Sequence, residues 1–309
     1  MEISVVIAAY NEEKNISEVY TKLSKVLKSM KKAHEIVFID DGSTDDTFHE
    51  MEKLSKKDSS VRVIKFRKNF GQSAAWDAGF KNAKGQFIIT IDADLQNDPE
   101  DIPKLIEKIN EGYDVVSGWR HNRKDNISKR TFSWFSRLLR KIIIDDKIHD
   151  SGCSLKIYKR ECFEDMDLQG EMHRYITEIL ALRGFKIAEI KVNHLPRKYG
   201  KTKYNLIRLE KGFLDLLVIV FWQKYSARPV HLFGSMGILS GIMGIAINLY
   251  LVYQKFFLGE PIANRPLLLL GVLLCILGLQ FLVFGLISDI LVKMYYSGQR
   301  KNYHIEKII

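Results

Sequence analysis

Two almost uncharged stretches in the last third of the chain constrain its fold more than any other feature. The first, LFGSMGILSGIMGIAINLYLVY (232–253), holds no charge in 22 residues, and the second, PLLLLGVLLCILGLQFLVFGLISDILV (266–292), holds only Asp289. About 20 apolar residues cross the hydrocarbon core of a bilayer, and a soluble core helix is rarely so uniformly apolar. Two transmembrane helices are therefore expected over 232–253 and 266–292. Basic residues crowd 197–228 before the first and recur after the second at Lys293, Arg300, Lys301 and Lys307, whereas the connecting QKFFLGEPIANR has only Lys255 and Arg265. This asymmetry puts both chain ends on the cytoplasmic side of the cell membrane. The opening MEISVVIAAYNEE has a short apolar run and no basic region before it, so it does not read as a signal peptide. Cys153, Cys162 and Cys275 have no metal-ligand spacing and suit a reducing compartment.

The first 200 residues mix charged and apolar groups as a soluble domain does. Apolar runs at 3–9, 35–40, 61–66, 86–92 and 114–118 alternate with helix-like stretches at 13–31, 45–57, 71–83 and 99–111. Such alternation with short loops implies an α/β domain with a mainly parallel sheet covered on both faces. Ligands of such sheets bind beyond the carboxyl ends of the strands. Polar clusters follow each run: Tyr10-Asn11-Glu12, Asp40-Asp41-Gly42-Ser43, Arg67-Lys68-Asn69, the span Asp92 to Asp98, and Trp119-Arg120. Single clusters have plain explanations, since Asp45-Asp46 and Asp98 before Pro99 fit helix N-caps. Five converging on one rim point to a binding site.

The acids in TIDADLQNDPED are conspicuous in a chain with a formal charge of +10. Asp92 and Asp94 stand one residue apart after a buried strand and can reach one hard cation if the backbone turns there. Two carboxylates completed by substrate phosphate oxygens suit Mg²⁺ or Mn²⁺.

Taken in order, VVIAAYNEEKNI, EIVFIDDGSTDDT, RKNFGQSAAWDAGF, IDADLQNDPE, VSGWR, DSGCSLKIYKR, MHRYI and RKYGKTKYN resemble glycosyltransferase family 2. Within it they resemble the polyprenyl-phosphate sugar transferases, which include dolichyl-phosphate mannose synthases and bactoprenol glucosyltransferases. The resemblance implies a GT-A fold over 1–203 and a nucleotide sugar as donor, with Ala9, Tyr10, Glu12 and Asp41 around the base and ribose. It also implies that Arg67, Asn69 and Gly71 shape the nucleotide pocket and that Asp92 lies near the ribose and diphosphate. Asp94, with Gln96, would hold the metal ion. A UDP-sugar is favoured because MHRYI looks more like the bacterial-type transferases; GDP-mannose is the alternative. Relatives with two spans further imply self-association, and no nucleic-acid partner is expected.

Downstream the polar residues turn basic: Arg120, Arg123, Arg130, Arg137, His173, Arg174, Arg197, Lys201 and Lys203. Basic surface beside a bilayer attracts anionic headgroups, which accounts for part of this set. Arg120, Arg174, Arg197 and Lys203 lie in family-matched segments and are candidates for gripping the acceptor phosphate, with His173 and either Arg130 or Arg137. The stretches 131–144 and 204–225 have amphipathic patterns that suit an interfacial helix or a docking helix. A phosphate monoester is already largely anionic at neutral pH, with a second pKa near 6, so its oxygen needs little help to attack. Asp150 is the family-matched candidate for base or orienter, and Glu178 a second. The expected reaction is transfer of one hexose with inversion. A processive polysaccharide synthase is less consistent, because Trp222-Gln223 has the wrong order for its acceptor motif and two spans are too few for a channel. An idle sugar-nucleotide sensor would have lost the acids and arginines retained here.

Overall fold

The computed structural model describes residues 1–120, 148–164, 166–168, 170, 172–196, 229–261 and 265–297. Arg123, Arg130, Arg137, Arg197, Lys201 and Lys203, both amphipathic stretches and the tail from residue 298 lie outside the described residues. The chain divides into two compact units, Met1–Ile219 and Val220–Ile309.

In the first unit seven strands form one sheet: β1 (Ile3–Ala9), β2 (His34–Asp40), β3 (Val61–Lys65), β4 (Phe87–Thr90), β5 (Val115–Arg120), β6 (Lys156–Lys159) and β7 (Ile187–Val192). Their order is β3-β2-β1-β4-β6-β5-β7, parallel except for β6, which runs antiparallel to β4 and β5. The expectation of a mainly parallel α/β sheet holds, with β6 and β7 added to the five anticipated strands. The helices are α1 (Glu13–Ser29), α2 (Thr47–Lys57), α3 (Gln72–Asn82), α4 (Ile102–Ile109) and α5 (Ile176–Leu182).

Strand alternation sorts the apolar residues onto two faces. Ile3, Val5, Ile7, Ile36 and Phe38 join the core under α1 and α4, where Ile16, Leu23, Ile102 and Leu105 are buried. Val6, Val37 and Ile39 join Trp76, Phe80, Ile176 and Ile179 on the opposite face, under α3 and α5. Gly79 allows α3 to lie directly on the sheet, because a Cβ there would meet Val6 Cγ1 at 2.3 Å. At the N-terminal edge of the sheet the buried Glu35 carboxylate accepts from Ser4 Oγ and the Lys84 amide, both at 2.6 Å, and from Arg62 Nη1 at 3.0 Å. Burial opposes its ionised form, but these donors prevail and hold its pKa below the usual carboxylate value. The functional rim lies at the other edge. There β1 neighbours both β2 and β4, so successive connections depart in opposite directions, the switch point where such sheets open a crevice.

The second unit is a helical hairpin of α6 (Pro229–Phe257) and α7 (Pro266–Ser297), both long and apolar enough to cross a membrane. Glycines on the facing sides let the backbones approach closely. A Cβ on Gly237 would meet the Gly278 carbonyl oxygen at 2.7 Å, and one on Gly244 would meet that of Gly271 at 2.7 Å. Ser240 Oγ donates across the seam to the Leu274 carbonyl at 2.9 Å. Bulky residues such as Leu239, Ile242, Leu269 and Leu279 are exposed on the outer faces. This small-inside, large-outside arrangement suits two helices packed within a bilayer.

Candidate active site

The rim is assembled by loops that hydrogen-bond to one another. After β1, Asn11 adopts a left-handed backbone (φ 56°), an arrangement asparagine tolerates. Its Oδ1 accepts from the Thr44 amide at 2.8 Å, and its own amide donates to Ser43 Oγ at 3.0 Å. The Glu12 amide donates to Thr47 Oγ1 at 2.8 Å, so the loops after β1 and β2 close against each other beside Ala9 and Tyr10. Asp46 holds the N-cap position of α2 without a side-chain cap bond, while Asp45 before it accepts from the Thr47 amide at 3.0 Å; Asp98 caps the turn at 99–101 by accepting from the Glu100 amide at 3.0 Å. Asp98 therefore caps as its pattern predicts, whereas the Asp45-Asp46 pair places Asp46 at the cap position but bonds through Asp45 in a local turn.

Asp41, buried after β2, fixes the next loop. It accepts from Asn69 Nδ2 at 3.0 Å and from the Phe70 and Gly71 amides at 2.7 and 3.0 Å. Gly42 has φ 69°, and a Cβ on it would lie 2.3 Å from the Lys68 carbonyl carbon, so only glycine lets the two loops touch. Arg67, Asn69 and Gly71 thus stand on a loop that Asp41 holds in place.

Beyond β4 the chain turns at Leu95, which has φ 62°. Asp92 Oδ1 accepts from Gln72 Nε2 at 2.9 Å, and the mostly buried Asp94 accepts from the Gln96 amide at 3.1 Å. The Gln96 carbonyl in turn accepts from the Leu195 amide at 2.9 Å. Among the described residues no group of three or more His, Cys, Asp or Glu forms a metal cage. The donor set on this turn consists of oxygen atoms only, two carboxylates and an amide side chain. That chemistry fits a hard divalent cation, which takes few protein ligands when substrate phosphates supply the rest.

Arg120 belongs to β5 itself, although the sequence placed it after that strand, because β7 pairs with β5 as far as Arg120 and Val192. Its Nε and Nη2 donate to the Asp150 carboxylate at 2.7 and 2.9 Å, and its amide adds a bond at 3.2 Å. The side chains are only 14% and 12% exposed. Burial opposes the guanidinium charge, but Asp150 outweighs it and Asp92 adds through space, so the pKa of Arg120 is raised. Arg120 is thus within electrostatic reach of both the Asp150 loop and the Asp92 turn.

Several supporting residues were not identified in the sequence. Glu189 accepts from the backbone amides of His149 and Asp150 at 2.8 and 3.1 Å, fixing the loop before the clasp. Asn97 Nδ2 donates to Ser154 Oγ at 2.6 Å, and Thr90 Oγ1 to the Ser154 carbonyl at 2.7 Å. Lys156, fully buried, donates from Nζ to the Ser151 carbonyl and to Thr177 Oγ1, both at 2.8 Å. Burial lowers its pKa, with Glu178 pulling the other way. Glu178, the second candidate base, is itself fully buried and acts on Lys156 through space. The one sequence clue to Lys156 was a lone charge inside an otherwise strand-like SLKIY. His173 lies against α3: its amide donates to Ser73 Oγ at 3.1 Å, and its Nδ1 is 2.8 Å from the same oxygen. Ser73 Oγ thus ties both the backbone and the ring of His173 to the start of α3. Arg174 follows in the same turn (Met172–Arg174). Burial pushes the thiols of Cys153 and Cys162 up to about 11 and about 12, so neither is an activated nucleophile.

Comparison with known proteins decides the family. The profile of "Glycosyl transferase family 2" matches residues 4–167, more than half of the chain. The chain belongs to glycosyltransferase family 2. It is 37% identical over 314 residues to a dodecaprenyl-phosphate galacturonate synthase of Rhizobium johnstonii, covering 100% of this chain and 93% of the relative. To an undecaprenyl-phosphate 4-deoxy-4-formamido-L-arabinose transferase of Salmonella choleraesuis it is 33% identical, covering 99% and 93%. The fold matches crystal structures of glucosyl-3-phosphoglycerate synthase from Mycobacterium tuberculosis. One of these holds Mn²⁺ and UDP-glucose; it has a TM-score of 0.55 at 19% identity over 72% of this chain and 78% of that one. The family 2 enzyme described here therefore has the GT-A fold that the sequence implied.

Proposed function

We propose that this family 2 glycosyltransferase moves a single sugar from a UDP-sugar to the phosphate of a polyprenyl phosphate at a membrane surface. The observation that carries the reading is the meeting of two chemistries at one strand rim. The Asp92–Asp94 turn offers carboxylate oxygens suited to a metal ion on a diphosphate, and the Arg120 guanidinium, oriented by Asp150, lies within electrostatic reach of Asp92. Similarity to polyprenyl-phosphate sugar transferases along nearly the whole chain, the helical hairpin included, supports a lipid acceptor.

In this reading the loops after β1 and β2 hold the base and ribose, with Ala9, Tyr10 and Glu12 on one side. Asp41 acts mainly by anchoring the loop of Arg67, Asn69 and Gly71. Asp92, Asp94 and Gln96 would hold a divalent cation, which when bound stabilises negative charge on the leaving diphosphate. The acceptor phosphate is gripped by Arg120, His173 and Arg174, with Arg137, Arg197 and Lys203 as further candidates. Asp150 already accepts three hydrogen bonds from Arg120, so its role is to orient that guanidinium. The acceptor's own charge makes a protein base unnecessary. Attack of a phosphate oxygen on the anomeric carbon, opposite the leaving nucleotide, forms one C–O bond as the other breaks and inverts the centre. The hairpin α6–α7 spans the bilayer, with the catalytic unit and both termini on the cytoplasmic side.

The test is a panel of UDP- and GDP-sugars with Mn²⁺ and undecaprenyl phosphate, following nucleotide release and glycolipid formation together. Lipid-dependent release of UDP, with one sugar per lipid, is expected. Release at the same rate without lipid, or lengthening of the product glycan, would refute the assignment.

A further inference from the structure

Hydrogen bonds link the residues assigned to the donor with those assigned to the acceptor, and one buried side chain closes the connection. On the donor side α3 begins with Gln72, bound to Asp92, and Ser73, bound to His173. The turn of His173 and Arg174 runs directly into α5, where the Tyr175 amide donates to the Met172 carbonyl at 2.9 Å. One residue into α5 comes Thr177, whose hydroxyl accepts from Lys156 Nζ. The same ammonium reaches back to the carbonyl of Ser151, next to Asp150, which clasps Arg120. Glu178, buried alongside, favours the charged form of Lys156.

A buried ammonium is costly unless its donors are satisfied, and a methionine of similar length would fill the space at lower cost. A charge retained at the centre of a sheet needs a reason that packing alone does not supply. Lys156 lies on β6 between β4 and β5, the strands that lead to Asp92 and Arg120. Its two bonds join segments 26 residues apart, at 151 and 177.

We propose that Lys156 is a positioning residue that locks the acceptor turn (His173, Arg174) to the Asp150 loop, so that the attacking phosphate and the Arg120 clasp keep one register. This inference rests on the assigned reaction. It separates acceptor placement, which passes through Lys156 and Thr177, from nucleotide binding, which depends on Asp41 and the loops after β1 and β2.

The experiment measures kcat and both KM values for wild type, Thr177→Val, Lys156→Met and His173→Ala, with UDP-sugar, Mn²⁺ and undecaprenyl phosphate. Glu35→Gln, at the opposite edge of the sheet, serves as a control that is only destabilised. Thr177→Val keeps the shape of the side chain and the bond from Lys156 to Ser151. It should raise the acceptor KM or lower kcat by about fivefold to tenfold, the size of one ordinary hydrogen bond, with the nucleotide-sugar KM unchanged. In a His173→Ala background the same change should have little further effect, because both act through one turn. Glu35→Gln should lower Tm without moving either KM. If Lys156→Met does not accumulate as folded protein, Thr177→Val alone decides. Wild-type transfer to the lipid with unchanged acceptor kinetics in Thr177→Val, or equal changes in both KM values, would overturn the inference alone. Absence of lipid-dependent transfer in the wild type would overturn the reaction assignment and the inference with it.

Discussion

The Arg120–Asp150 clasp makes the most demanding prediction, because its two halves are predicted to fail unequally. Both side chains are about seven-eighths buried, and they share two side-chain bonds at 2.7 and 2.9 Å. Breaking a buried pair by removing one partner typically costs about 3–5 kcal/mol, because the remaining charge is stranded. The neighbourhood sets the order. In Asp150→Asn the guanidinium keeps Asp92 as a counter-charge and can still donate to an amide oxygen. In Arg120→Met the Asp150 carboxylate loses both guanidinium bonds, and the acidic Glu189 lies beside its backbone amide. Arg120→Met should therefore cost about 4 kcal/mol and Asp150→Asn about 2. At roughly 2–4 °C per kcal/mol for a domain of this size, the first variant should melt about 8–16 °C lower and the second about 4–8 °C lower. The double variant strands no charge and should lose less than the sum of the two. The assay is the thermal transition of the detergent-purified chain, followed by intrinsic fluorescence, since Trp76 and Trp119 lie in this unit. Single-variant shifts below about 2 °C, or simple additivity in the double variant, would show that the pair is not the desolvated clasp described. Activity adds a second test. An orienting Asp150 predicts that Asp150→Asn retains a measurable rate with an unchanged pH profile, whereas loss of a limb on the acid side would restore it as a base.

Further predictions concern other parts of the molecule. Asp94→Asn should lower turnover by at least about 100-fold while leaving Tm within about 2 °C, and excess EDTA should abolish transfer reversibly; full turnover under chelation would refute a divalent ion at this turn. The Ser60 hydroxyl and amide and the Tyr20 hydroxyl hold Asp58 at a pKa of about 2, against burial that pushes upward, compared with 3.8 for a free side chain. Its folded pKa is depressed, so its stabilisation is complete above pH 4 and is lost as pH falls from 4 through 2. It amounts to at most about 2 kcal/mol, and Asp58→Asn should flatten that limb of the acid denaturation curve. Gly42→Ala must push the backbone at Lys68 away and should raise the nucleotide-sugar KM by about 10-fold or more, measured by initial rates, with less effect on the acceptor KM. Gly278→Leu should open the α6–α7 seam, where even a Cβ would lie 2.8 Å from the Gly237 carbonyl oxygen; reduced yield of the folded, membrane-extracted chain is the readout.

How far the sequence disclosed this arrangement depends on how local each feature is. The β1 to β4 runs and the helices between them follow from apolar periodicity, which a doubly covered parallel sheet imposes residue by residue. The turn bond of Asp45 and the cap of Asp98 act within two residues and are equally local. β6 and β7 were missed for opposite reasons. β6 has four residues and carries the buried Lys156 and the half-buried Lys159 among its apolar ones, while β7 is an edge strand whose half-exposed IAEIKV lacks an apolar run. The same two strands bear Lys156 and Glu189, which brace the Asp150 loop across 5 and 39 residues respectively. His173 and Ser73 meet across 100 residues. No propensity reports such pairs, because each residue is ordinary where it stands and acquires meaning only from its partner. A sequence can therefore mark where a substrate is touched, since that chemistry restricts residue type at each position. The bracing behind it rests on charges whose burial only the assembled sheet reveals. Lys156 shows this most clearly: as a lone lysine in a strand-like run it reads as a solvent-facing residue, yet the antiparallel insertion of β6 between two parallel strands puts it in the centre of the sheet.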